Sequence, residues 1–189
     1  NYSIIEQLEN NISGLIWVSG LTGNADDEFS DPEKCETNIR VNYLNPVLLI
    51  NKIIPKIQSD NDSFIVGITS AAGLRGRAKQ LIYAGAKSGF INYLSGLRQK
   101  LHSKKINVIT VIPGWMNTKT FKKSGIKSPF FLLSSPKKSA QIIYNAIKSK
   151  KEIVYINFLW RMIVFCISLI PEKIFKKLKV DFRKILLTG

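Results

Sequence analysis

Residues 63–87 read SFIVGITSAAGLRGRAKQLIYAGAK, and their order decides the fold. Residues 63–69 form an apolar run of strand length, the pattern of a strand buried on both faces. Small residues fill 70–78, and apolar positions then recur at helical spacing from about residue 80 to 102. A buried strand that turns through small residues into a long helix is half of a parallel βα unit. Similar units lie on either side. Residues 14–20 (GLIWVSG) are an apolar run closed by glycine, 106–112 (INVITVI) stop at Pro113-Gly114, and 152–156 form a fourth run. A helix end is read at 3–10, a periodic stretch at about 37–57 with a kink at Pro46, and a helix at 136–149. Residues 118–135 are polar, basic and loop-like. The prediction is an α/β fold: a doubly wound parallel sheet with helices on both faces.

The chain has 189 residues, enough to bury a core, and its 45% apolar content excludes intrinsic disorder. Two cysteines, Cys35 and Cys166, make neither a disulfide framework nor a Cys-rich zinc site and suit a reducing cytosol. Cys166 reads as a small hydrophobe in an apolar helix. His102 lies among lysines at a helix end and reads as solvated, so no metal site is expected. The net charge of +15 is uneven: residues 1–62 carry ten acids and four bases, a net −6, and the remainder carries +21. Such a surface suits an anionic partner, whether nucleic acid, anionic lipid or a phosphorylated substrate, or serves only as a wet lysine face.

Chemistry concentrates in the quoted stretch. Ser70 stands at the carboxyl end of a buried strand, where parallel α/β sheets present their ligands. Tyr83 and Lys87 are four residues apart and share one helix face. A free tyrosine has a pKa near 10, and an ammonium about 4–6 Å away favours its phenolate, so Lys87 is expected to lower the Tyr83 pKa. Ser70 is placed to donate a hydrogen bond to a substrate oxygen on which charge develops.

The spacing of Ser70, Tyr83 and Lys87 resembles the short-chain dehydrogenase/reductase family, which pairs a strand-end serine with Tyr-x-x-x-Lys. Pro113-Gly114-Trp115-Met116-Asn117-Thr118 is similar to that family's Pro-Gly-x-x-x-Thr, where backbone and threonine hold the nicotinamide amide. Val41-Asn42-Tyr43-Leu44 is similar to its helix asparagine, whose distorted backbone supports a water-linked proton relay. Trp17-Val18-Ser19-Gly20 stands where Asn-Asn-Ala-Gly ends a strand beside the ribose, and only Gly20 of that run is kept. The resemblance covers residues 1–157 and implies a Rossmann-like fold binding NAD or NADP. It implies Ser70, Tyr83, Lys87 and Asn42 as catalytic residues. Gly20, Tyr83, Lys87, Pro113, Gly114, Met116 and Thr118 are implied as cofactor-binding.

The family's glycine-rich turn, which receives the pyrophosphate at a helix N-terminus, does not follow any strand here. The expectation is therefore a fragment that lacks the first three strands. No signal peptide is visible. Residues 153–170 are almost wholly apolar but include Arg161, and a helix confined to the last 13 or so spans only ~20 Å, so a tail that does not cross a membrane is expected. Beyond Pro171, Ile174, Phe175, Leu178, Phe182, Ile185 and Leu186 recur at helical spacing with Lys173, Lys176, Lys177, Arg183 and Lys184 opposite, a basic amphipathic helix. Residues 158–189 are read as an apolar and basic helical tail. Lys150-Lys151-Glu152-Ile153-Val154-Tyr155, the Trp160-Arg161 helix and Ile170-Pro171-Glu172-Lys173-Ile174-Phe175-Lys176-Lys177-Leu178 resemble the end of decaprenylphosphoryl-2-keto-pentose reductases and related enzymes acting on polyprenyl-phosphate-linked keto-sugars.

The expected function is reversible interconversion of a ketone and a secondary alcohol by hydride transfer, on a small-molecule or lipid-linked substrate. The expected protein is a cytoplasmic homo-oligomer with peripheral membrane contact. Two other classes stand beside it. One is an inactive relative kept as a binding module, against which the intact Ser70, Tyr83 and Lys87 argue. The other is a basic nucleic-acid-binding protein, for which charge speaks but no recognition motif does.

Overall fold

The computed structural model describes residues 3–8, 11–23, 29–123 and 128–178. Lys127 and the tail beyond Leu178 lie outside these residues. Four strands, β1 (Gly14–Trp17), β2 (Phe64–Ile68), β3 (Asn107–Ile112) and β4 (Ile153–Tyr155), pair in sequence order and all in parallel. Register runs Leu15 to Ile65 to Val108 across the first three strands, and Val111 to Val154 across the last pair. A short helix α1 (Ser3–Glu6) precedes β1.

Side-chain alternation along β2 and β3 divides the core into two layers. Ile65 and Val108 face a layer built by Ile50, Ile53, Phe90, Leu94, Leu97 and Leu101. These come from α3 (Asn45–Ile53) and the long α4 (Leu81–Leu101). Val66, Ile109 and Val111 face Ala146 on α6 (Pro136–Lys148), with Ile142 and Ile143 beside it. Both faces are thus covered, as the continuous apolar runs predict. β1 differs: only Gly14–Trp17 pair, Val18 is exposed, and Ile16 keeps 46% of its surface. The residues after Trp17 leave the strand to reach the site.

The helix read at about 37–57 begins earlier and is distorted earlier than Pro46. α2 (Pro32–Ile39) starts at Pro32, where Asp31 caps it by accepting from the Glu33 and Lys34 N–H groups. A π-helical turn (Arg40–Leu44) then joins it to α3. The cause lies in Pro46. Asn45 N–H reaches past Val41 to the Arg40 carbonyl, and Pro46 has no N–H to offer the Asn42 carbonyl one turn back. The proline acts one turn upstream of itself, and the distortion falls on Asn42.

The basic loop at 118–135 contains α5 (Lys119–Lys123) and a 3-10 turn (Phe130–Leu132). After β4, α7 (Phe158–Ser168) starts at Asn157, whose side chain caps it by accepting from Leu159 N–H, and α8 (Glu172–Phe175) follows Pro171. Trp160 and Val164 of α7 bury against Ala71 and Ile112 at the carboxyl ends of β2 and β3. No helix among the described residues is long and apolar enough to cross a membrane. Cys166 is exposed on α7, not buried as its apolar neighbours suggest, because only the 160/163/164/167 face of that helix meets the core.

Candidate active site

Ser70 leaves β2 in an extended conformation, and a 3-10 turn (Ala71–Leu74) follows. Its hydroxyl accepts from Ala72 N–H at 3.1 Å, which stops the strand and starts the turn. A hydroxyl has one hydrogen and two lone pairs, so this bond leaves the Ser70 hydrogen for the neighbouring Tyr83 phenol. The turn is pinned from three sides. Ala71 N–H donates to the Pro113 carbonyl at 2.9 Å, joining it to the loop after β3. Ala71 packs on α7. Gly73 rests on the α4 backbone: a Cβ there would lie 2.8 Å from the Lys87 carbonyl carbon and the Ser88 nitrogen. Gly73→Ala must therefore push the turn off α4. It should cost roughly 1–3 kcal/mol and displace Ser70. Denaturant unfolding checks the first effect, and turnover falling more than stability explains checks the second.

α4 carries Tyr83 and Lys87 up to this turn. Lys87 is almost fully buried, at 3% exposure, and its ammonium donates to the Ile68 carbonyl at the end of β2, at 3.3 Å. Burial holds its pKa down at about 8. The same Nζ lies 5.9 Å from the centre of the Tyr83 ring. Gly20 closes the other side, since a Cβ there would sit 3.4 Å from Lys87 Nζ and 3.5 Å from Asn42 Oδ1. Ser70, Tyr83, Lys87 and Gly20 thus meet at the carboxyl end of β2, where β1 also points.

The charge balance at Tyr83 differs from the expectation that Lys87 lowers its pKa. Burial pushes the phenol pKa up, and a hydrogen bond from Ser70 and the Arg77 guanidinium pull it back. The groups that move the phenol are Ser70 and Arg77, with Lys87 Nζ over the ring at 5.9 Å from its centre. Arg77 is a residue that the sequence reading passed over. It is half-buried, burial lowers its own pKa, the Tyr83 phenol opposes that shift, and its guanidinium donates to Gln80 at 2.6 Å. Its signal was the Arg-Gly-Arg run inside an otherwise small-residue loop.

The Asn42 side chain does not point into this space. It is fully buried and spent on the chain after β1: it donates to the Leu21 carbonyl at 2.8 Å and accepts from Leu21 N–H at 3.1 Å. It also donates to Asn38. Asn42 therefore fixes Gly20-Leu21, and Pro46 denies its backbone carbonyl the N–H four residues on. In the loop after β3, Gly114 is pressed by Trp160, with a virtual Cβ 2.1 Å from the indole, and Trp160 Nε1 donates to the Leu132 carbonyl at 3.0 Å. The Ser139 hydroxyl touches Met116 Sδ at 3.5 Å, and Thr118 Oγ1 accepts from Phe121 N–H at 3.3 Å, capping α5.

Residues 2–128 match the family model described as short chain dehydrogenase. The chain belongs to the short-chain dehydrogenase/reductase family. Among curated relatives, a ketoacyl reductase, HetN of Nostoc sp., is 30% identical over 118 residues, covering 61% of this chain and 41% of its own. An uncharacterised oxidoreductase of Mycobacterium tuberculosis is 22% identical over 167 residues, covering 88% and 66% respectively. This short-chain dehydrogenase chain therefore spans less than two thirds of these relatives. A solved short chain dehydrogenase from Burkholderia cenocepacia, in complex with NADP, superposes with a TM-score of 0.76 at 18% identity, over 99% of this chain and 73% of that one. A 3-oxoacyl-[acyl-carrier protein] reductase from Brucella melitensis in complex with NAD gives 0.66 at 17% identity, over 82% and 69%. These neighbours share the Rossmann-like fold.

The residues present fit the nicotinamide side of a dinucleotide. An ammonium has three donors, and the buried Lys87 spends one on Ile68, leaving donors for a ribose diol. Bare backbone at Gly20 lies beside it.

Proposed function

We propose that this chain carries the catalytic residues of an NAD(P)-dependent oxidoreductase that interconverts a ketone and a secondary alcohol. The observation that carries the reading is the convergence of Ser70, Tyr83 and the buried Lys87 ammonium at the carboxyl end of β2. A bound nicotinamide dinucleotide supplies or accepts the hydride. In the reductive direction Ser70 turns the hydrogen it otherwise gives Tyr83 to the carbonyl oxygen and orients it. Tyr83 gives its proton to that oxygen as it becomes an alkoxide. Lys87 holds the ribose and stabilises positive charge poorly in its buried setting, so its role is binding more than acidity. Ser70 and Arg77 offset part of the rise that burial imposes on the Tyr83 pKa. Asn42 holds Gly20-Leu21 in place, and its carbonyl takes the relay water. Pro113, Gly114, Met116 and Thr118 would hold the nicotinamide amide.

The substrate we propose is a lipid-linked or otherwise phosphorylated keto-sugar, met at the cytoplasmic face of a membrane. The basic segment directly after Thr118 supports this, with Lys119 and Lys122 on α5 as a lid over the substrate. Residues 1–157 would form the catalytic domain and 158–189 an apolar and basic tail, whose α7 packs on the domain. The activity is tested by following nicotinamide absorbance while the intact protein reduces ketones with and without a phosphate. Lys119→Gln with Lys122→Gln should raise KM for the phosphorylated ketone by roughly tenfold, with kcat and the soluble ketone unaffected. An unchanged KM removes the lid from the account.

A further inference from the structure

We propose that Phe130, Phe131 and the outward face of α7 form a docking surface for an anionic lipid bilayer. The proposal deepens the lipid-linked reading above and rests on it for its purpose, though not for its test. The inward face of α7 is spent on the core, with Trp160 and Val164 buried. The outward face carries Phe158, Met162, Phe165 and Leu169, spaced i, i+4, i+7 and i+11, so they form one stripe along the helix. Phe158 is 65% exposed, Phe165 57% and Leu169 66%. Phe130, 86% exposed, and Phe131 continue the stripe at its start. Both line one cavity with Phe158, and Asn157 Nδ2 donates to the Phe131 carbonyl at 2.8 Å.

Charge identifies the occupant. Exposed bases lie on the same and the next elements: Lys138 in the same cavity, Arg161 on α7, and Lys173, Lys176 and Lys177 on and just after α8. From residue 128 to 178 the acids are Glu152 and Glu172, and the Glu172 carboxylate is taken by Arg75 at 2.7 Å. A second copy docked through this stripe by two-fold symmetry would bring these bases against their own copies, which is repulsive. An anionic bilayer accepts both features, the aromatic and aliphatic stripe at the acyl boundary and the bases among the headgroups. Trp160 and Val164 share a cluster with Ala71, the neighbour of Ser70. The catalytic turn therefore lies about one helix diameter, ~10 Å, beneath the lipid-facing surface. A headgroup carried on a membrane-embedded chain would come within its reach.

The arrangement is tested by floating the full chain with phosphatidylcholine vesicles with and without phosphatidylglycerol. Oligomeric state by light scattering and reduction of a soluble ketone are measured in parallel. Flotation is expected only with phosphatidylglycerol, and it should fade in high salt. Met162→Ser with Phe165→Ser should weaken it by at least about tenfold while melting is unchanged. Lys173→Gln, Lys176→Gln and Lys177→Gln together should weaken it roughly 100-fold. The proposal is overturned by no flotation, by flotation indifferent to the Met162 and Phe165 changes, or by a dimer that those changes abolish. Ketone reduction without flotation overturns this surface alone, and flotation without reduction overturns the oxidoreductase reading alone.

Discussion

Tyr83→Phe is expected to lower kcat for carbonyl reduction by about 10²–10⁴-fold, the range of a lost general acid. The substitution keeps the ring against Lys87 and removes one oxygen, so folding and nicotinamide binding should be unchanged. Ser70 then loses the phenol it hydrogen-bonds and keeps Ala72 N–H, so the turn stays in place. The check is turnover at saturating cofactor, with cofactor affinity measured separately by fluorescence. A variant that turns over as fast as the parent ends the assignment of Tyr83 as proton donor.

Lys87→Met is expected to do two things in opposite directions. With two charge-assisted hydrogen bonds to a ribose lost, at about 1.5–3 kcal/mol each, kcat/KM should fall roughly 10²–10⁴-fold. Stability should rise. The buried Lys87 ammonium has a pKa of about 8 against an ordinary 10.5, so the native state binds this proton more weakly than the unfolded chain does. Below pH 8 the fold therefore carries the cost of a buried charge. Between 8 and 10.5 the unfolded chain holds a proton that the native state has released, so stability climbs with pH. One pK unit is worth 1.36 kcal/mol, and the lost bond to Ile68 offsets part of the gain, which leaves about 1–3 kcal/mol for the methionine variant at pH 7. Urea unfolding from pH 7 to 10 checks both claims: the parent gains stability across that window, and the variant does not. A less stable variant would mean that Lys87 holds the site together and is not strained within it.

The contrast between strands and site shows what a sequence exposes. β2, β3 and the helix from Leu81 were legible because each is a continuous run whose apolar period matches one element. Ser70, Tyr83 and Lys87 were legible because two of them share a helix face and the third ends a strand. Harder to see were contacts between distant segments. Nothing near Asn42 says that its side chain will be consumed by Leu21, 21 residues away. The kink read at Pro46 falls at Arg40–Leu44 because a proline's missing N–H is felt by the carbonyl four residues earlier. Arg75 lies in the small-residue loop, yet it reaches the Ile170 carbonyl at 3.2 Å, Glu172 at 2.7 Å and the Phe175 ring at 4.3 Å. That clasp ties the tail to the catalytic turn. Its partner lies 97 residues on, beyond any local pattern. Gly114 likewise reads as half of a Pro-Gly turn, and only the placement of Trp160 shows why a side chain there is excluded.

The most direct test of the central claim is isotope transfer. The intact protein is given nicotinamide cofactor deuterated at the reactive carbon together with a ketone, and the alcohol formed is examined by mass spectrometry. The account predicts one deuterium on the carbinol carbon of the product, and almost no product from Tyr83→Phe under the same cofactor occupancy. Alcohol formed without deuterium, or formed equally well by the Tyr83→Phe protein, would contradict it.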